Sequence, residues 1–265
     1  MPGRRVVEIN GLWKSFDGQD VLCGVDLDVL ESETMVVLGP SGCGKSVLLK
    51  HIIGLITPDR GSILIEGRDV TRMELPELNE VRKNIGMVFQ GAALFDSMSV
   101  GDNVALPLRE HRRMQGAALD RMVQEKLALV GLEGVTDVMP PQLSGGMKKR
   151  VALARAIALD PEIILYDEPT TGLDPVMAEQ INELIRDLQQ KLKTTSVAVT
   201  HDLHSARFIG DRVALMEEGK IAFTGTTDEL RPTTNEAVRN FIARGHAGLT
   251  DAGRSLNRGR RDSDL

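Results

Sequence analysis

No run of apolar residues in this sequence approaches the ~20 that a bilayer-spanning helix needs, and the segment Met1-Pro2-Gly3-Arg4-Arg5-Val6-Val7-Glu8 has no signal-peptide core. Any work at a membrane is therefore expected to go through a partner. Cysteine is nearly absent: Cys23 and Cys43 are the only two in 265 residues. A chain of this length buries enough core to fold without disulfides or structural metal, so both thiols are expected to be reduced, in a cytoplasm. Excess positive charge is missing as well. A formal charge of −6 with interspersed signs argues against nucleic acid as a partner, since such binders carry a basic stripe. There is no solenoid-length repeat and no heptad run, which leaves one large domain or two closely joined ones.

What the sequence does contain is Gly39-Pro40-Ser41-Gly42-Cys43-Gly44-Lys45-Ser46, which satisfies the phosphate-binding pattern G-x-x-x-x-G-K-[ST] at every specified position. Thr34–Leu38 before it reads as a buried strand, and Val47–Ile53 after it as a helix that stops near Gly54. Glycines let the backbone curl so that successive N–H groups point at phosphate oxygens, and the helix start adds roughly half a positive charge. The expected cradle is Gly39, Pro40, Ser41, Gly42, Cys43, Gly44, Lys45, Ser46 and Val47. Within it Lys45 is expected to reach the terminal phosphates, and the Ser46 hydroxyl to hold Mg²⁺.

Residues 6–30 alternate strand-like runs with turn signals such as Asp17-Gly18, which points to an antiparallel β lobe, and 62–67 and 85–89 read as further strands. From about 92 to 160 the character becomes helical, with Pro107, Gly131 and Pro140-Pro141 as breaks; this is taken as a helical subdomain. Strand-like 163–166 and 196–200 flank a helix over 175–192, the rhythm of a parallel sheet. Residues 213–216 and 220–223 suggest a hairpin around Glu218-Gly219. A helix over about 234–244 then leads to a polar tail, 245–265, expected to be disordered by itself.

Asp167 and Glu168 close the apolar run 163–166, which delivers two carboxylates to the C-terminal end of a strand, beside the phosphate loop of a doubly wound sheet. Asp167 is expected to hold Mg²⁺ through water, and Glu168 to polarise the attacking water as general base. His201, after the strand 197–200, emerges on the same edge and can bond a γ-phosphate or order that water. Gln90, after 85–89, has an amide oxygen that can ligate Mg²⁺ and release it cheaply. Leu143-Ser144-Gly145-Gly146-Met147 opens a second helix, followed by Lys148-Lys149-Arg150, and reads as a second anion site.

Gly39–Ser46, Gln90, Leu143–Met147, Ile163–Glu168, Gly172-Leu173-Asp174 and His201 occur in the order and approximate spacing of ABC-transporter ATPase subunits, and over about 1–230 the chain resembles that family. The resemblance implies an α/β fold of the P-loop NTPase (RecA-like) kind: a mostly parallel sheet with an antiparallel β lobe, an inserted α-helical subdomain at about 92–160, and a C-terminal extension at 231–265. It also implies a head-to-tail homodimer in which the loop 39–46 of one copy and Ser144, Gly145 and Gly146 of the other sandwich each ATP. Asp174 would then contact the opposite copy. Phe16 matches the aromatic that stacks on adenine in the family, with Trp13 as its rival.

The sequence departs from the common pattern at Met147, where a glutamine is usual, and at Tyr166, which interrupts an aliphatic strand. With Phe89–Asp96 and Asn103–His111, the first departure resembles the ATPase of MCE-linked phospholipid transporters, the Mla type. That finer likeness implies a peripheral subunit on the cytoplasmic face of the inner membrane. Its companions would be an integral-membrane permease of the MlaE kind, an MCE-domain lipid-binding subunit and a STAS-domain subunit. Leu94, Phe95 and Met98 form an apolar cluster that either seats a permease helix or packs the helical subdomain. Two other readings share the pattern. A small-solute importer ATPase would use every catalytic residue, whereas a non-transport ABC ATPase acting on nucleic acid is disfavoured by the single motif set and the acidic balance.

Overall fold

The chain begins with two long strands, β1 (Arg5–Phe16) and β2 (Gln19–Leu30), joined at Asp17-Gly18, where both residues take positive φ (49° and 79°). The computed structural model describes residues 3–230 and 234–243. Strand β3 (Thr34–Leu38) runs into helix α1 (Lys45–Ile52). Next come β4 (Arg60–Ile65) and the short β5 (Arg68–Asp69), with Glu66-Gly67 making the turn between them at φ 50° and 77°. Four of these strands form an antiparallel sheet in the order β2-β1-β4-β5. It is the expected β lobe.

Helix α2 (Leu75–Arg82) and strand β6 (Ile85–Val88) precede three consecutive helices, α3 (Val100–Arg112), α4 (Gly116–Leu129) and α5 (Gly145–Ala156). Then follow β7 (Ile163–Asp167), α6 (Pro175–Leu192), β8 (Thr195–Thr200), α7 (Leu203–Ile209), and the hairpin β9 (Arg212–Glu217) and β10 (Lys220–Thr226). A last helix covers 236–243, starting two residues later than the expected 234; residue 244 and the tail lie outside the described residues. The second sheet has the order β10-β9-β3-β8-β7-β6, with β9, β3, β8, β7 and β6 parallel and β10 antiparallel at one edge.

Every residue of β3, β6, β7 and β8 is buried, the mark of a parallel sheet covered on both faces. Alternation sorts their side chains into two cores. Met35, Val37, Leu165, Val197 and Val199 join Leu48, Leu49 and Ile52 of α1 and the inner face of the antiparallel sheet. Val36, Leu38, Ile164, Tyr166 and Ala198 join the buried faces of α3 to α7. Tyr166 is therefore an interior residue of the helical side, and burial raises its phenol above its ordinary value, so it stays neutral.

Pro107 does not break the helical stretch as expected but lies inside α3. A proline in a helix interior costs about 3 kcal/mol. Val104 and Leu108, buried one turn apart on the same face, each return roughly 1.5–3 kcal/mol, and Ser99 caps the helix by accepting from the Asp102 N–H at 3.1 Å. Packing outweighs propensity. The other expected breaks hold: Gly131 takes φ 67° just past α4, and Pro140–Gln142 is a single 3₁₀ turn.

The register aligns the strand ends that matter. Leu38 is opposite Thr200, Asp167 opposite Val199, and Val88 opposite Tyr166. Gly39, Gln90, Glu168 and His201 thus leave the C-terminal edge of the parallel sheet at nearly one level.

Candidate functional site

The loop between β3 and α1 is shaped by close backbone approach. A Cβ at Gly39 would stand 2.4 Å from the Met216 carbonyl oxygen, and Gly44 takes φ 106° with the Val21 carbonyl oxygen only 2.9 Å from where its Cβ would be. Neither position admits another residue without moving backbone. Helix α1 begins at Lys45, two residues earlier than the sequence suggests, with Gly44 as an N-cap that offers no side-chain bond and no acidic residue in the first turn. Its first N–H groups are left for an anion.

Six charged or polar side chains, Lys45, Ser46, Asp167, Glu168, Thr171 and His201, converge beside this loop. Lys45, buried, donates to the carbonyls of Gly39 and Pro40 at 2.9 Å each, and its Nζ lies 3.6 Å from Glu168 Oε1. The Ser46 hydroxyl donates to Asp167 Oδ1 at 2.6 Å. His201 Nδ1 lies 2.9 Å from Glu168 Oε2, and the same oxygen accepts from the Thr171 hydroxyl at 3.1 Å. Thr171 is absent from the sequence reading; its signal, a hydroxyl three residues after a strand-end carboxylate, is too common to stand out. Cys43 sits in the loop as a free thiol, pushed up by burial against the nearby Lys45 charge, and Val47 contributes its carbonyl to His51 within α1.

Glu168 has a left-handed backbone (φ 48°), held by its N–H to the Val199 carbonyl at 3.0 Å. Gln90 is less engaged: its side chain is exposed, and among the described residues it forms no hydrogen bond to Ser46 or Asp167. Its main-chain carbonyl accepts instead from Lys149, a buried residue of α5. Burial pulls the Lys149 ammonium below its ordinary value, opposed by the charges of Asp167 and Glu168. Lys149 therefore does not serve the second anion site as its place after Met147 suggests. Arg150 also turns inward, donating to the Val130 carbonyl at 2.8 Å.

The start of α5 is built differently from that of α1. Ser144 and Gly145 are exposed, and the Ser144 hydroxyl accepts from the Met147 N–H at 3.2 Å. A Cβ on Gly146 would lie 2.1 Å from Met177 Cε, so the turn packs tightly on α6. Asp174 caps α6, accepting from the N–H groups of Val176 and Met177 at 3.0 Å each. Among the described residues no hydrogen bond joins 144–146 to 39–46.

Phe16 ends β1 at 41% exposure with Lys14 Nζ 5.4 Å from its ring centre, and Lys14 is itself fixed by Asp59 at 2.8 Å. Trp13, at 38% exposure, lies over Gly24, whose Cβ would meet its Nε1 at 3.1 Å. Beyond Gln90, Leu94 packs on the core, whereas Phe95 is 48% exposed. The loop is pinned by Asn103, which accepts from the Phe95 N–H at 2.9 Å and donates to the carbonyls of Phe95 and Met98 at 3.1 Å.

A family model described as ABC transporter matches residues 22–171. A Mycobacterium leprae protein named probable ribonucleotide transport ATP-binding protein mkl is 43% identical over 242 residues, 91% of this chain and 70% of that protein. The chain spans 66% of the length of its Mycobacterium tuberculosis counterpart. The intermembrane phospholipid transport system ATP-binding protein MlaF of Haemophilus influenzae is 40% identical over 239 residues, 90% of each. Among solved structures, a dimeric post-hydrolysis state of the ATP-binding cassette MJ0796, bound to ADP and Pi, superposes with a TM-score of 0.77 at 34% identity, over 83% of this chain and 98% of that one. With the phosphate loop, the paired strand-end carboxylates and the capped second helix in the places described, the chain belongs to the ABC transporter family, as one of its ATP-binding ATPase cassettes.

Proposed function

We propose that this chain energises phospholipid transport through a separate integral-membrane permease, working as a homodimer on the cytoplasmic face of the inner membrane. The observation that carries the cargo assignment is the likeness to the H. influenzae MlaF protein over 90% of both lengths. No helix of the described residues is long and apolar enough to cross a membrane; the proposed path for cargo is the separate permease. The exposed Phe95, on a loop pinned by Asn103 next to Gln90, is the seat we assign to a permease helix. An MCE-domain subunit and a STAS-domain subunit are the expected companions. The mycobacterial relatives favour a second reading, since their name assigns ribonucleotide as cargo.

In the proposed mechanism ATP lies along 39–47 of one copy and against Ser144, Gly145 and Gly146 of the other, with Phe16 under the adenine. The loop 172–174, set by the Asp174 cap, faces the opposite copy. The donor set suits Mg²⁺. Ser46 and Asp167 bring two hard oxygens within 2.6 Å of each other, and among the described residues no group of three or more His, Cys, Asp and Glu is placed to hold a metal ion by itself. Ser46, Gln90 and Asp167 would hold the ion, which when bound neutralises phosphate charge.

Glu168 takes the proton of the attacking water as the bond from the γ-phosphorus to the bridging oxygen breaks, releasing ADP and phosphate. A carboxylate only accepts, so His201 Nδ1 carries the hydrogen between them, and the imidazole is held against the base beside the place proposed for that water. General-base help of this kind is worth about 10²–10⁴ in rate. Glu168→Gln is expected to bind ATP, lose turnover by that order and accumulate as a closed dimer on size measurement with ATP; wild-type turnover in this variant would refute the assignment. For the cargo, purification with the neighbouring membrane proteins is expected to yield bound phospholipid and lipid-stimulated ATPase. A complex that carries ribonucleotide and ignores lipid would sink the first reading.

A further inference from the structure

Besides Lys45, two lysines among the described residues, Lys126 and Lys149, are buried to the same 5% exposure, and they differ in what they hold. Lys126, on α4, meets the Asp160 carboxylate, which also pairs with Arg112 at 3.0 Å. That is an ion pair between helix and loop, away from the nucleotide. Lys149, on α5, sends its hydrogen bonds to main-chain carbonyls instead: that of Gln90, and that of Glu168 at 3.4 Å. A buried ammonium is rarely found without a charged partner, so its placement on the two segments that carry the proposed metal ligand and general base calls for a reason.

The reason lies in the backbone of Glu168. A left-handed non-glycine residue is held only where its surroundings over-determine it. Here the N–H bonds Val199, and the carbonyl accepts from the Thr171 N–H at 3.3 Å and from Lys149. The carboxylate leaves this same residue, so the direction of its peptide sets where the base points. Gln90 is treated likewise: its side chain is free, and its carbonyl is tied to Lys149. Five residues separate Lys149 from Ser144, about 7.5 Å along a helix, and Gly146 is wedged on Met177 between them. The start of α5 and Lys149 therefore behave as one rigid piece.

We propose that Lys149 is a positioning residue for hydrolysis: it holds the main chain at Glu168 and Gln90 and anchors both to the helix whose start carries Ser144. The proposal rests on the reading of Glu168 as general base. It is tested on the full chain with Lys149→Met, which keeps the length and removes the donor, and with Lys149→Gln, which keeps one neutral donor. Lys149→Met is expected to bind a fluorescent ATP analogue and to show a KM within about twofold of wild type, while kcat falls about tenfold or more. Lys149→Gln should lie between. Lys126→Met, the buried-lysine reference, should lower the thermal midpoint and leave kcat per folded molecule unchanged.

Wild-type kcat in Lys149→Met overturns the proposal. So does a loss of analogue binding and thermal midpoint in step with kcat, which is the pattern of a structural lysine. If Lys149→Met does not fold, unchanged kcat in Lys149→Gln overturns it equally. Glu168→Gln measured alongside separates the two claims. Turnover lost there but kept in Lys149→Met refutes the positioning role alone, whereas turnover kept in Glu168→Gln refutes the base and everything argued from it.

Discussion

Helices α1 and α5 both begin where an anion can be received, and they are furnished in opposite ways. At the start of α1 there is no side-chain cap, the preceding glycine is left-handed, and Lys45, Ser46, Asp167 and Glu168 stand around the free N–H groups. At the start of α5 the Ser144 hydroxyl already occupies the Met147 N–H, Ser144 and Gly145 are exposed, and Lys149 and Arg150 behind them turn inward to Gln90, Glu168 and Val130. The first is a walled receptacle with its own catalytic groups. The second is an exposed helix start, which suits the proposed sharing of a nucleotide between two copies.

Breaking the first helix start should have the largest effect. Lys45→Ala removes the one ammonium inside the receptacle and is expected to weaken nucleotide binding by about 100-fold or more, measured on the purified chain with a fluorescent ATP analogue. Affinity within threefold of wild type would mean that the loop amides alone carry the phosphates.

Breaking the second start should act on turnover and slightly on stability, and leave nucleotide binding alone. Ser144→Ala is expected to lower ATPase activity about tenfold while nucleotide binding to the isolated chain stays as it was, because the role proposed for the hydroxyl is on the ATP of a second copy. The same substitution removes a helix cap worth about 1 kcal/mol, so the thermal midpoint should fall by a few degrees. Turnover that falls only as far as the folded fraction falls would reduce Ser144 to a cap.

The smallest expected effect sharpens the contrast. Gly146→Ala sets a methyl 2.1 Å from Met177 Cε, the far end of a flexible side chain, so a cost near the low end of overpacking, about 1 kcal/mol, is expected by denaturant titration. Met177→Ala in the same chain should restore it. No rescue would place the clash in the backbone of the turn.

Much of this was legible in the residues. The phosphate loop, the strand before it and the helix after it follow from glycine spacing and an apolar run, and the helix expected over 175–192 is α6 to the residue. Pro107 misled because propensity is a local cost, whereas α3 is held by a face buried against distant elements. Asp174 could be read as a loop residue facing another copy; the cap it forms appears only once α6 is built. Lys149 sat in a basic triplet, and nothing in the triplet says which of its members faces inward.

The sequence by itself determined the local pattern: which loop carries the phosphate-binding motif, and which apolar runs form buried strands. Those are decided within a few residues by backbone conformation and period. Only the tertiary structure decided who meets whom. Ser46 and Asp167 are 121 residues apart, Lys149 and Gln90 59, and Glu168 and His201 33. These pairs touch because β7 lies between β8 and β6, with β3 on the far side of β8. Strand order is set by how two cores close over a sheet, a global packing condition that no local pattern of residues records.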